Sequence, residues 1–162
     1  STTTPEDNHH SRRYGAVMTE VLEAAMRLPH LCSSDGEFRL TARYWNGSIR
    51  IGIDGEAVTI TVSAGLAAEA SATTGDAPDE PGHFGFDGPQ DVWDRLLAEM
   101  PEPGFNDVAP AQYNGMRRTG HRETYWQYFP AARRIIDLLR NEVNRSLTPA
   151  DASPAGERQA GS

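Results

Sequence analysis

Two histidines and a cluster of carboxylates are the residues of this chain best suited to proton transfer. His83 follows Gly82 and His121 follows Gly120, each beside a predicted strand. Imidazole titrates near neutral pH, so either ring can serve as general acid or base in an apolar pocket. Asp87, Asp91 and Asp94 follow His83 closely, and a carboxylate buried enough to raise its pKa can work beside it. The same residues serve equally as helix caps or loop groups. Cys32 lies near His30, but no third group orients the pair, and the residue reads as a small buried side chain. His9-His10 sits on a polar tail and makes a poor metal site; no metal site is expected. No HExxH, GxSxG, GxGxxG, Walker or CxxC pattern occurs. All fifteen basic residues are arginine, which reads as codon bias in a GC-rich, bacterial genome. It excludes a Schiff base, a P-loop lysine and a lysine general base. No cofactor is implied.

The other available chemistry is apolar binding. Tyr44, Phe84, Phe86, Trp93, Met100, Tyr113, Met116, Tyr125, Trp126 and Phe129 are the candidate cavity residues, with Phe105 beside them. A buried Tyr or Trp also brings a polar tip that a ligand oxygen can satisfy.

The stretch HFGFDGPQDVWDRLLAEM, residues 83–100, must position much of this set. Phe84 and Phe86 alternate around Gly85 as in a strand. Asp87-Gly88 predicts a turn, and Pro89 suits the first position of a helix. Val92, Trp93, Leu96, Leu97 and Met100 then share one helical face. Upstream, Arg12 to Leu28 predicts a helix with apolar Tyr14, Val17, Met18, Val21, Leu22 and Ala25, closed by Pro29. An antiparallel meander follows. Phe38, Leu40, Ala42 and Tyr44 alternate in its first strand, and Asn46-Gly47 predicts the first hairpin. Ile49, Ile51 and Ile53 mark the second strand, Asp54-Gly55 the next hairpin, and Val58, Ile60 and Val62 the third. Its solvated face carries Arg39, Arg43 and Arg50.

The run LAAEASA suggests a short helix, and TTGDAPDEPG a surface loop that gates a cavity or is simply an insertion. Residues 107–114 predict a helix and 116–119 an edge strand. Arg122 to Leu147 predicts a long helix that Pro130 kinks or restarts. Residues 1–11 and 148–162 read as disordered tails around a single domain of residues 12–147.

Net charge is −8, which argues against nucleic acid as a partner. No apolar run is long enough for a transmembrane segment, the N-terminal STTTPEDNHHSRR lacks the apolar core of a signal peptide, and one cysteine forbids an internal disulfide. A cytoplasmic protein is expected. Charge is uneven along the chain. Glu69 to Asp107 is acidic apart from Arg95, whereas Arg117, Arg118, Arg122, Arg133 and Arg134 form a later basic cluster. That cluster suits either attraction between two halves of the fold or an anionic head group or acidic partner.

Three segments together resemble the sterol carrier protein-2 family over roughly residues 12–140. FRLTARYWNGSIRIGIDGEAVTITV looks like its opening strands, FGFDGPQDVWDRLLAEM like its strand and Trp- or Phe-bearing helix, and GMRRTGHRETYWQYFPAARRIIDLL like its late strand and closing helix. Gly120-His121 stands where the family often has Gly-Asp. The resemblance implies an α+β fold: an antiparallel or mixed twisted sheet of about five strands, covered by N-terminal, central and C-terminal helices around an apolar cavity. It implies binding of a hydrophobic small molecule, as a carrier or accessory module, with no shared catalytic constellation. Two alternatives stand beside it. One is a small cofactor-free isomerase, cyclase or hydrolase using His and Asp. The other is a non-catalytic subunit that docks on a protein partner.

Overall fold

The computed structural model describes residues 20–161, with side chains as far as Arg145. The expectations for residues 1–19, including His9-His10, the N-terminal tail and the start of the first helix, lie outside these. The described chain opens in helix α1 (residues 20–26), then α2 (Leu28–Ser33) and α3 (Gly36–Ala42). Three antiparallel strands follow: β1 (Gly47–Ile53), β2 (Glu56–Ser63) and β3 (Leu66–Thr74). Next come β4 (His83–Gly88), α4 (Gln90–Leu96), α5 (Val108–Ala111), β5 (Arg117–Gly120), α6 (Arg122–Gln127) and α7 (Phe129–Gly161). The sheet has five strands in the order β3-β2-β1-β4-β5, mixed because β4 runs parallel to β1. Helices cover one face, and the fold is α+β.

The meander is present but displaced by one strand. Residues 36–42, expected as its first strand, form α3. Asp35 caps this helix by accepting from the Phe38 amide at 2.8 Å. Phe38 and Ala42, four residues apart, are buried, whereas Leu40, which strict alternation would point inward, is 60% exposed. A cap and an i,i+4 apolar pair outweigh a period-two pattern here. Of the three arginines expected on the solvated strand face, Arg39 therefore lies in α3, Arg43 caps its end, and only Arg50 lies on a strand.

Asn46-Gly47 is consequently not a hairpin. Asn46 Oδ1 accepts from the Ala64 amide at 2.7 Å and so ties the entry of β1 to the β2–β3 turn. Asp54-Gly55 does turn the chain, with both residues at positive φ, as a two-residue hairpin loop requires. Ala64-Gly65 makes a second such turn and leads LAAEASA into β3 rather than a helix. Pairing with β2 overrides alanine's helical preference.

Near the middle of the chain, Asp87-Gly88 continues β4 instead of turning. Pro89 is the N-cap of α4, one position earlier than expected, and the helix stops at Leu96, leaving Met100 87% exposed. Pro29 opens α2 rather than closing α1, so His30 and Cys32 are helical. Asp107 caps α5, β5 lies within a residue of its expected span, and Pro130 starts α7 afresh. That helix runs on past Leu147.

Because β3 and β4 point the same way, residues 75–82 must carry the chain back across the outer face of the sheet. Arg50 on that face donates to the carbonyls of Thr74 (2.9 Å), Gly75 (3.2 Å) and Asp76 (2.8 Å). The Ala77 amide donates to Thr119 Oγ1 at 3.1 Å, and Arg117 grips Asp76 with two bonds. At the far end the Gly82 carbonyl accepts from Trp45 Nε1 (2.9 Å) and the Ser48 amide (3.0 Å). Gly82 approaches Gly47 so closely that a Cβ on Gly47 would lie 1.8 Å from the Gly82 oxygen.

On the covered face α7 is tied down by charge. Arg134 holds Asp35 through two bonds of 2.9 and 2.7 Å, and Glu142, 3% exposed, accepts from Arg27 and Arg145. Arg140 and Asn144 donate to the Leu96 and Leu97 carbonyls at the end of α4.

Two consequences are measurable. Gly47→Ala forces backbone apart at the Gly82 contact and lowers the unfolding free energy by about 2 kcal/mol or more; denaturant titration showing an unchanged midpoint would contradict this packing. The Arg134 bonds to Asp35 hold its carboxyl below the usual range, against the opposing effect of burial and with help from the Phe38 amide. A depressed folded pKa stabilises fully above the unfolded value of about 3.9 and is lost as pH falls through the folded one. Asp35→Asn is therefore less stable than the parent by about 1–3 kcal/mol at neutral pH, and the gap closes in strong acid. Denaturation curves at several pH values read this directly, and a gap independent of pH would refute it.

Candidate functional site

The covered face of the sheet changes in bulk from one edge to the other. Strand register sets one row as Ala70, Ile60, Ile49, Phe84 and Gly120, and the next as Ala72, Val58, Ile51, Phe86 and Arg118. At the β4 end aromatic rings fill the space. Trp45 lies stacked between Phe84 (5.4 Å between centroids) and Tyr128 (4.9 Å), and Tyr125 meets Phe84 and Phe86 edge-on. Trp93 is fully buried and donates to the Gly52 carbonyl at 2.7 Å. Such interlocked rings, with both indole N–H groups bonded, are packed core.

At the β3 end alanine replaces these rings, and the helical layer leaves hollows. An open groove of about 660 Å³ lies between Leu22, Glu23 and Met26 of α1 and Glu56–Val58 with Ala72–Thr74 of β2 and β3. A second of about 450 Å³ runs between Cys32, Ser33, Phe38 and Arg39 and the stretch Ser63–Ala68 (Gly65 apart). Ala67, in the wall of the second groove, and Ala70 pack against the core. Volumes of this order suit a small ligand, and the first groove's walls are largely apolar.

A third concavity, about 410 Å³, lies at the opposite edge of the sheet. Ala109, Gln112, Tyr113, Arg118, Arg122, Tyr125 and Trp126 line it. Gln112 Nε2 donates to the Tyr125 hydroxyl at 2.8 Å, and the Arg118 guanidinium lies 5.2 Å from the Tyr125 ring centre. Burial raises the Tyr125 phenol pKa, with Gln112 and Arg118 opposing, so the hydroxyl keeps its proton.

The ten candidate cavity residues do not line one space. Phe84, Phe86, Trp93, Met116 and Tyr125 are buried, and Met116 sulfur sits against Gly88. Tyr44, Met100, Tyr113 and Trp126 are mostly exposed. Tyr44 holds a positive φ beside the Arg43 guanidinium, and Phe129 packs edge-on against Tyr125. Phe105 is buried under Arg95. Of the ten, Tyr113, Tyr125 and Trp126 share a concavity.

Of the acid–base candidates, His83 and His121 meet through their backbones, the His121 amide donating to the His83 carbonyl at 2.7 Å, but each side chain has other partners. His83 Nδ1 pairs with Ser48 Oγ at 2.8 Å on the outer face. His121 caps α6, with Nδ1 toward Thr124 and Nε2 at 3.3 Å from Glu123. Asp87 accepts from the Gly55 amide and pairs with Arg117. Asp91 and Asp94 lie on α4, where Asp94 accepts from Gln90. Of the basic cluster, Arg117, Arg133 and Arg134 pair with Asp76, Asp107 and Asp35. Arg118 and Arg122 make no ion pair among the described residues.

Sequence reasoning passed over Leu22 and Val58 as groove residues because they read as ordinary core, Met26 because it fell outside the apolar positions of the first helix, and Ala72 because LAAEASA read as a short helix. The available signal was the run of alanines in β3, too small to fill a sheet face. Trp45, the centre of the aromatic stack, was hidden by the expected hairpin beside it.

No protein family's sequence profile matches the chain, and no curated protein sequence matches it. Solved structures do. A crystal structure of sterol carrier protein 2 is similar with a TM-score of 0.58 and 18% identity, over 73% of this chain and 94% of that one. The solution structure of a conserved hypothetical protein of Thermus thermophilus, described as a candidate sterol carrier protein, is similar with a TM-score of 0.55 and 18% identity, over 74% and 86%. The fold of this chain is that of sterol carrier protein 2. No described helix is long and apolar enough to cross a membrane.

Cys32 offers a check on the packing beneath the second groove. Burial, with Asp35 adding and Arg134 opposing, pushes its thiol up to about 12. A thiol-specific disulfide reagent at neutral pH is expected to label the native protein far more slowly than the protein in denaturant. Equal rates would show that the α2 region opens freely.

Proposed function

We propose that this chain binds a hydrophobic small molecule (a lipid, a sterol or a polyketide- or terpenoid-like compound) in the groove between α1 and the β2–β3 edge, acting as a carrier or an accessory module. The groove itself carries the reading: about 660 Å³ walled by Leu22, Met26, Ala57, Val58 and Ala72. An apolar ligand there covers chiefly Met26, 44% exposed, and the exposed Ala72, against walls of Leu22, Ala57 and Val58 that are already buried. Each 100 Å² of apolar surface so buried contributes about 2.5 kcal/mol before the costs of association. Glu23, Glu56 and Thr74 at the rim supply polar groups for a ligand hydroxyl. The fold shared with a protein called sterol carrier protein 2 supports the same reading. The cytoplasm is the setting we propose for such a carrier.

A fluorescent fatty acid and a fluorescent sterol test the reading. Ala72→Trp places a ring in the groove from an exposed edge strand, where aromatic residues suit the backbone. Saturable probe binding to the parent, weakened about tenfold or more by Ala72→Trp with an unchanged circular-dichroism spectrum, is the expected result. No binding of either probe by the parent, or equal binding by the filled variant, rules the groove out.

A further inference from the structure

We propose that the concavity between α5, β5 and α6 binds the phosphate or carboxylate group of an anionic ligand, with Arg118 and Arg122 as its charge partners, the Tyr125 hydroxyl as a hydrogen-bond donor, and the Tyr113 and Trp126 rings as apolar flanks. The site is separate from the apolar groove. It lies at the β5 edge, and the groove lies at the β3 edge, four strand spacings or about 19 Å away.

The argument begins with charge. Net charge is −8, and seven of the twelve arginines between residues 20 and 145 pair with an acid among the described residues; Arg39, Arg43 and Arg50 do not, but none of them lines this concavity. Arg117 holds Asp76 and Asp87, Arg133 holds Asp107, Arg134 holds Asp35, and Arg145 holds Glu142. Against that background Arg118 and Arg122 share one concave surface with no carboxylate partner among the described residues. The nearest acid in sequence, Glu123, faces His121 Nε2 at 3.3 Å. Two guanidiniums on one concave wall repel each other, and an anion between them removes that repulsion.

The hydroxyl is the second observation. Tyr125 is 2% exposed, so its oxygen depends on local partners. Gln112 donates to that oxygen at 2.8 Å and also to the Val108 carbonyl at 3.3 Å, which uses the amide hydrogens. The phenol hydrogen then has no acceptor among the described residues, and it sits in the wall of the concavity. An anionic oxygen supplies the missing acceptor.

The rings define the rest of the ligand. Tyr113 is 91% exposed and Trp126 62% exposed, yet both line the same concavity. Trp126 is braced against Tyr125 at 4.9 Å and Phe129 at 6.3 Å between ring centres. Large exposed rings beside unpaired arginines suit an anion attached to an apolar body, either a small organic phosphate or acid, or the head group of a lipid.

Trp126 makes the test direct. Trp45 and Trp93 are fully buried, so a neutral quencher such as acrylamide reports mainly on Trp126. The full chain is titrated with phenyl phosphate, with vesicles of phosphatidylcholine, and with vesicles of phosphatidylcholine and phosphatidic acid. Saturable shielding of Trp126 that salt weakens is expected, and Trp126→Phe should remove the signal. Shielding by phenyl phosphate identifies a soluble anion as the ligand type. Shielding by the phosphatidic acid vesicles alone identifies a lipid head group. The combined variant Arg118→Gln and Arg122→Gln should weaken binding about tenfold or more. If that variant fails to fold, Arg122→Gln alone carries the test, because this side chain makes no ion pair among the described residues. No shielding by any probe, equal shielding by neutral vesicles, or unchanged affinity after loss of the arginines overturns the proposal. Binding of the uncharged sterol probe in the apolar groove is expected to be the same in these variants, so the two sites stand or fall separately.

Discussion

Parallel pairing of β4 with β1 is the constraint from which the rest of this structure follows. A strand parallel to its neighbour cannot be reached by a tight turn, so the chain has to travel the length of the sheet between them. Most folds make that journey with a helix. Here eight residues, 75–82, do it as an extended strap pinned by the Arg50 guanidinium, by Thr119 and by the contact between Gly47 and Gly82. The strap crosses the outer face with few residues and leaves the helices to the other. It also puts Phe84 and Phe86 at the centre of the covered face, where Trp45, Tyr125 and Tyr128 close over them.

Packing on the covered face is therefore lopsided. The β4 half is solid aromatic core, and the β3 half is an alanine floor beneath helices that do not reach all of it. Between β1 and β4 a ligand has nowhere to go without displacing well-packed rings. In the second half, space already exists. Charge follows the same division. The arginines of α7 are committed to structure, holding Asp35, Glu142 and the end of α4, while Arg118 and Arg122, which make no ion pair among the described residues, lie at the β5 edge. An apolar groove at one edge and a basic, aromatic concavity at the other give the domain two chemically distinct ends.

Much of this was legible in the sequence, and the failures have identifiable causes. The isoleucine and valine alternation of β1 and β2, the Asp54-Gly55 turn, the phenylalanines of β4, the Asp107 cap and the restart at Pro130 are local signals that agree with their tertiary setting. Residues 37–44 misled because Phe38, Leu40, Ala42 and Tyr44 satisfy a period of two while Phe38 and Ala42 satisfy a period of four. Asp35 decides between them, and its weight comes partly from Arg134, 99 residues away. LAAEASA misled in the opposite sense, since only pairing with β2 makes it a strand. The location of the ligand space was illegible for a related reason. Large aromatic side chains mark where a core is full as readily as where it is hollow, and the hollow here is marked by small ones.

The strap also orders assembly. Turns of two residues link β1 to β2 and β2 to β3, so those ladders close short loops at little entropic cost. The pairing of Ser48 with His83 spans 35 residues and gains little stability until residues 75–82 have settled on a sheet that already exists. By loop length, the three-strand ribbon closes at the least entropic cost and the pairing of β1 with β4 at the greatest. Loosening Gly82 or Arg50 therefore strikes the join with the longest loop to close and leaves the two short hairpins as they are.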